Sequence, residues 1–148
     1  MKMKKLIFAL TLIASLNAAA ATDVWKGTGE LFNLQGRKTG SYALTVENEK
    51  QGDVTLSKIT VTLPDGKSER HQCRITGDDD GWHSDCDHGQ GGGRCYGEGL
   101  CESYVADGNG RAFATTMVFD GPEDMRLLRT ELKDGKAVRI FREKLHKQ

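Results

Sequence analysis

Met125-Arg126-Leu127-Leu128-Arg129-Thr130-Glu131-Leu132, Lys133-Asp134-Gly135-Lys136 and Ala137-Val138-Arg139-Ile140-Phe141-Arg142-Glu143-Lys144-Leu145 make up the stretch that decides the fold. Two runs of strand length flank an Asp-Gly pair, which is the strongest short-range signal for a β-hairpin. A two-residue turn at Asp134-Gly135 sets Leu132 opposite Ala137, Leu128 opposite Phe141 and Arg126 opposite Glu143. Those six residues then share one face, expected to be the core. Arg129, Arg142 and Lys144, with Leu127 and Ile140, fall on a mostly wet face. An exposed Arg126–Glu143 pair contributes only ~0–1 kcal/mol, so it reports register rather than stability.

The same pattern extends outward along the chain. Tyr42, Leu44 and Val46 alternate, Glu49-Lys50-Gln51-Gly52 turns, and Val54 and Leu56 alternate again. A hairpin over that segment pairs Val46 with Val54 and Leu44 with Leu56. Ile59, Val61 and Leu63 then continue with shifted parity, which implies a bulge or bend near Ser57-Lys58. Further turns are marked by Pro64-Asp65-Gly66-Lys67, Asp107-Gly108-Asn109-Gly110 and Gly121-Pro122. Beyond the N-terminal segment, nothing sustains a helical period for three turns.

The spacing predicts strands over 24–32, 40–48, 53–63, 67–75, 82–88, 99–106, 112–119, 125–132 and 137–145. The expected fold is all-β: a single-domain antiparallel up-and-down meander of eight or nine strands. Such a meander protects its edges by closing, or nearly closing, into a barrel; a β-sandwich is the alternative. In strand count and order it resembles lipocalin-like small barrels, and the resemblance extends to architecture alone.

Residues 1–21 read as a cleaved secretory signal. Lys2, Lys4 and Lys5 precede an apolar stretch from Leu6 to Leu16, and Ala18-Ala19-Ala20-Ala21 offers a cleavage site ending at Ala21. The expected mature chain, 22–148, is one domain without a membrane-spanning segment. No cysteine follows the cleavage region to carry a lipid anchor, so the expected location is periplasmic or extracellular. Removing the signal takes away three lysines, and the charge becomes 18 minus 21, or −3. That balance gives no reason to expect nucleic acid as a partner.

All four cysteines lie within residues 73–101. In an exported chain they are expected to form two disulfides. Cys73 and Cys86 are symmetric about Asp78-Asp79-Asp80-Gly81, so a hairpin there opposes them, and Cys95 and Cys101 close a small loop across Tyr96-Gly97-Glu98-Gly99-Leu100. The same register opposes His71 and His88. With the cysteines reduced, two Cys and two His suit zinc or copper; with them oxidised, the two imidazoles remain, with Asp85 or Asp87 nearby. A two-residue turn at Asp65-Gly66 would turn the Cys/His face to solvent, leaving Ile59, Val61 and Leu63 inward.

Gly89-Gln90-Gly91-Gly92-Gly93-Arg94 lacks the Lys-Ser/Thr and spacing of a phosphate loop, and reads as a flexible connection serving Cys95. Asp78-Asp79-Asp80-Gly81 fails as a calcium loop because Trp82 occupies the fifth ligand position. No nucleophile elbow or C-x-x-C pair is present, and His83-Ser84-Asp85 cannot converge from one strand. The expectation is a non-enzymatic binding module without a cofactor. Its ligand would be a small apolar molecule in the barrel or a protein partner at the Gly-rich rim. Metal binding through His71 and His88 is the alternative, and an enzyme assembled from distant residues the third possibility.

Overall fold

The computed structural model describes residues 22–148, so the expected signal lies outside the described residues. Ten strands follow one another: β1 (Thr22–Phe32), β2 (Lys38–Gln51), β3 (Val54–Thr62), β4 (Ser68–Asp78), β5 (Gly81–Cys86), β6 (Gly89–Tyr96), β7 (Leu100–Ala106), β8 (Arg111–Phe119), β9 (Asp124–Lys133) and β10 (Lys136–Lys147). Each pairs antiparallel with its sequence neighbours, and β1 pairs with β10 to close the barrel. The closed antiparallel meander is as expected. The strand count is one higher than the upper expectation because the Gly-rich segment is a strand.

β6 forms despite its composition because its neighbours impose the conformation. Gly91 and Gly93 pair with Ser84 and Trp82 on one side and with Val105 and Ser103 on the other. A Cβ at Gly93 would collide with the Trp82 ring, as one at Gly29 would collide with the ring of its cross-strand partner Tyr42. At Gly29 and Gly93 a neighbouring ring comes too close to the backbone for a Cβ, while at Gly91 the backbone of Tyr104 does. Cys95 at the end of β6 is opposed to Cys101 on β7 and bonded to it, as Cys73 on β4 is to Cys86 on β5. Both expected disulfides are therefore present, each across directly opposed residues.

Three expected registers are corrected. The β2–β3 turn sits at Gly52-Asp53, which pairs Gln51 with Val54, Val46 with Ile59 and Leu44 with Val61. Parity is then constant along β3, and the expected bulge near Ser57-Lys58 does not exist. The error came from reading Val54 and Leu56 as core. Inside this barrel stand Thr55 and Ser57, at 2% and 5% exposure, while those two aliphatics are half-buried on the outer wall.

The β3–β4 connection is a five-residue loop, 63–67, rather than a two-residue turn, because Thr62 pairs with Ser68. This puts Ile59 beside His71 and Ser57 beside Cys73. The Cys/His face is interior, not solvent-facing.

In the β9–β10 hairpin, Asp134 and Gly135 take φ of 50° and 77°, the left-handed pair that a two-residue hairpin turn needs. Leu132 meets Ala137 as expected, but an irregularity at Val138 then shifts the register. Phe141 consequently pairs with Arg129, Arg142 with Leu128 and Glu143 with Leu127. The inner face of β9 is Met125, Leu127, Arg129 and Glu131, and Leu128 is 51% exposed outside. Arg126 bonds Asp120 instead of Glu143.

Inward side chains of β8, β9 and β10 form cross-strand rows that grade from apolar to charged. Phe119–Met125–Leu145 is deepest, followed by Met117–Leu127–Glu143, Thr115–Arg129–Phe141 and Phe113–Glu131–Arg139. The apolar end is packed. Trp25, 1% exposed, meets Phe119 edge-on at 6.5 Å, within a cluster that includes Leu44, Ile75, Trp82 and Cys101. Burying each large side chain of that kind contributes ~1.5–3 kcal/mol.

Candidate functional site

The opposite end, which we call the mouth, is where the loops 33–37, 63–67, 107–110 and the turns at 87–88 and 134–135 lie. Five rings run across it in sequence. Tyr42 and Phe141 are 6.4 Å apart, Phe141 and Phe113 6.2 Å, Phe113 and His88 6.1 Å, and His88 and His71 5.1 Å, every pair edge-on. That geometry is the one aromatic quadrupoles favour. Tyr42 is buried, and the other four rings are half-buried. The Arg111 guanidinium lies 5.2 Å from the Phe113 centroid, and that of Arg139 lies 5.5 Å from Phe141.

Two buried carboxylates organise the charges. Glu131 accepts from Arg111 Nε at 2.8 Å through one oxygen and from Arg139 Nε through the other. Burial alone would push its carboxyl up, but the two guanidiniums, Arg139 foremost, hold it below the usual range. Glu143, 2% exposed, accepts from the Tyr42 hydroxyl at 2.6 Å and from Arg129 Nη2 at 3.3 Å. Burial, and then the Glu143 charge, push the Tyr42 hydroxyl far above its ordinary range, so it stays a donor. Arg129 Nε is buried and finds no acceptor among the described residues. An unpartnered buried donor of this kind is uncommon and calls for an explanation.

The β4–β5 sheet and the 87–88 turn supply the third group. Asp87 Oδ1 lies 3.0 Å from His88 Nδ1 and 3.6 Å from His71 Nδ1, while its Oδ2 accepts the Gln72 amide at 3.0 Å. The Asp87 amide in turn donates to the Gln72 carbonyl at 3.0 Å, which locks the turn onto β4. Partial desolvation raises the Asp87 carboxyl, but the His88 and Gln72 donors and the charge of His71 outweigh it and hold it below the usual range.

The predicted pair His71 and His88 is thus brought together, directly beyond the Cys73–Cys86 disulfide. Both sulfurs are bonded to each other, so they offer no thiolates and the two-Cys, two-His arrangement is excluded. Asp87 is the nearby carboxylate; Asp85 points outward and accepts from Gln90. The Gly-rich segment lies in the wall, so it provides no rim for a partner. Trp25, Trp82 and Tyr42 are buried, and Tyr104 is exposed on the outer wall.

Sequence reasoning missed Phe113, Phe141 and the Arg/Glu set of the mouth. The available signal was parity: Arg129 and Glu131 alternate in phase with Met125 and Leu127. No protein-family model and no curated protein matches this chain.

Proposed function

We propose that the protein is an exported, non-enzymatic binding protein whose mouth takes a small amphipathic molecule with an apolar body and an anionic group. The observation that carries this reading is the file of four half-buried rings beside Tyr42 at one end of an otherwise packed barrel. Ligand sites are characteristically apolar and aromatic, with a few placed polar groups. The Arg/Glu side of the mouth, away from Asp87, favours an anion: Arg111, Arg129 and Arg139 stand there against Glu131 and Glu143, three minus two, and the Nε of Arg129 lacks an acceptor.

Two disulfides suit an oxidising compartment, in keeping with export to the periplasm or beyond the cell under a signal over residues 1–21. The outer wall carries Lys26, Glu47, Lys58, Arg70, Arg74, Arg126 and Arg142 at outward positions. A lipid-facing barrel carries an apolar band there, so these charges favour a barrel standing in water.

Titration with 1-anilinonaphthalene-8-sulfonate and with its uncharged relative N-phenyl-1-naphthylamine tests the reading. Both should bind the native protein, Phe113→Ala with Phe141→Ala should abolish both, and Arg129→Gln should weaken the sulfonate alone. Unchanged binding in the double variant, with its near-ultraviolet circular dichroism intact, would overturn the reading.

A further inference from the structure

We propose that His71, Asp87 and His88 form a binding site for a divalent transition metal of the zinc and copper class. The site uses the two imidazoles that end the file of rings, together with Asp87, and does not depend on the organic ligand of the mouth. The three side chains each offer a donor atom, all within 4.8 Å of one another. Zinc bonds of ~2.0–2.1 Å in a tetrahedron place adjacent donors ~3.3 Å apart. The Asp87 Oδ1 to histidine Nδ1 separations, 3.0 and 3.6 Å, bracket that edge. The two imidazole donors lie within 4.8 Å of each other, so an ion entering there closes the third edge by turning the rings.

The surroundings meet the remaining requirements of a metal site. Gln72 N–H holds Asp87 Oδ2, which orients the carboxylate and leaves Oδ1 to face both imidazoles. The other nitrogen of His71, Nε2, is 3.8 Å from Glu69 Oε2, so a small turn of that exposed side chain would bring an outer carboxylate into hydrogen-bond reach of the imidazole. The Cys73–Cys86 disulfide ties the two ligand-bearing segments together immediately beneath, so the donors are held in place before the ion arrives. Preorganisation of this sort lowers the ordering cost of binding.

Donor chemistry sets the class of ion. Two imidazoles and one carboxylate suit zinc and copper, whereas magnesium and calcium call for sets of oxygen ligands. Copper should bind more tightly than zinc, as it does at most nitrogen and oxygen sites. Three protein ligands leave a coordination position for water or an exogenous donor.

Isothermal titration of the untagged, disulfide-intact protein after chelator treatment tests the proposal. One equivalent of Zn2+ is expected, Cu2+ binding tighter, and no heat from Mg2+ or Ca2+ at the same concentration. His71→Gln and His88→Gln should each weaken Zn2+ by at least the ~10–100-fold that even outer-shell changes produce, and Asp87→Asn by about tenfold or more. Electron paramagnetic resonance of the Cu2+ form should show two imidazole nitrogens, falling to one in either histidine variant. His146, paired with Asp124 at 2.9 Å on the outer wall, is the internal control for chance binding at a surface His–Asp pair. The proposal fails if His71→Gln with His88→Gln leaves Zn2+ affinity unchanged, or if His146→Ala removes the same heat. Asp87→Asn alone decides the matter should the double variant not fold, because its loss of charge leaves the backbone anchors in place.

Discussion

The two ends of this barrel share one backbone pattern and have opposite interiors. At the packed end, inward positions hold Trp25, Phe119, Met125 and Leu145; at the mouth, the same strands turn Phe113, Glu131, Arg139 and Phe141 inward. Alternation is therefore a rule about direction, not polarity. A closed barrel has an interior at every height, but only part of it must be dry for the domain to hold. If the packed end carries stability and the mouth carries recognition, substitutions at the two ends should separate cleanly.

The largest effect is expected from Trp25→Ala, which removes the most buried ring of the core and should cost ~3–5 kcal/mol in urea unfolding. Phe113→Ala at the mouth should cost only ~1–2 kcal/mol, since a half-buried ring gives up about half the transfer free energy, yet it should weaken dye binding while Trp25→Ala, if folded, does not. A mouth substitution as costly as Trp25→Ala would break the division.

Next come the disulfides. Chain-entropy arithmetic gives ~3 kcal/mol for the loop closed by Cys73–Cys86 and ~2 kcal/mol for the shorter Cys95–Cys101 loop, whose sequence separations are 13 and 6. Replacing the first pair with alanines should also release the 87–88 turn and reduce Zn2+ affinity. The second pair lies toward the packed end, and its loss should leave Zn2+ binding unchanged.

Glu143→Gln should cost ~2–3 kcal/mol. The carboxylate is buried, and losing its charge leaves Arg129 inside with weaker partners. Glu131→Gln should cost less, because Arg111 and Arg139 are each nearly half exposed and water screens them. Its distinguishing signature is pH. A carboxyl held low in the folded state contributes stability that is present above the ordinary glutamate range of ~4.3 and lost as pH falls through the folded value. Denaturation midpoints of the native protein should therefore fall with acid below that range, and Glu131→Gln should flatten the slope.

Most of the fold was legible because alternation and turn chemistry are local. Asp134-Gly135 announced its hairpin, and the symmetry of Cys73 and Cys86 announced their bond. What misled was the equation of inward with aliphatic. It reversed the first half of β3, where Thr55 and Ser57 face in on the side already expected for Ile59 and Val61, and it reversed β9, where the Val138 irregularity is a one-residue event that no composition signals. Gly-rich β6 was illegible for a related reason: its strand is imposed by Trp82 and Cys101 on neighbouring strands, not by its own residues. The His71–His88 pair was legible from the cysteine register. The Arg/Glu network was not, since it depends on the corrected β9–β10 pairing.

The smallest expected effect sharpens the contrast between two His–Asp pairs. His146 Nδ1 lies 2.9 Å from Asp124 Oδ1, and His88 Nδ1 lies 3.0 Å from Asp87 Oδ1, so the contacts are nearly the same. They differ in company: the mouth pair has His71 beside it and a backbone amide on its second oxygen, while the other stands exposed near the packed end. The hydrogen bond that His146 donates to Asp124, with the carboxylate's charge, raises the imidazole above its ordinary ~6.5. A raised folded value means the contribution is complete below the unfolded value and vanishes as pH rises through the folded one. Asp124→Asn should therefore lower the urea midpoint slightly at pH 5.5, leave it unchanged at pH 9, and leave Zn2+ binding unchanged at pH 7.5. A midpoint loss of equal size at both pH values would show that Asp124 acts through something other than the imidazole charge.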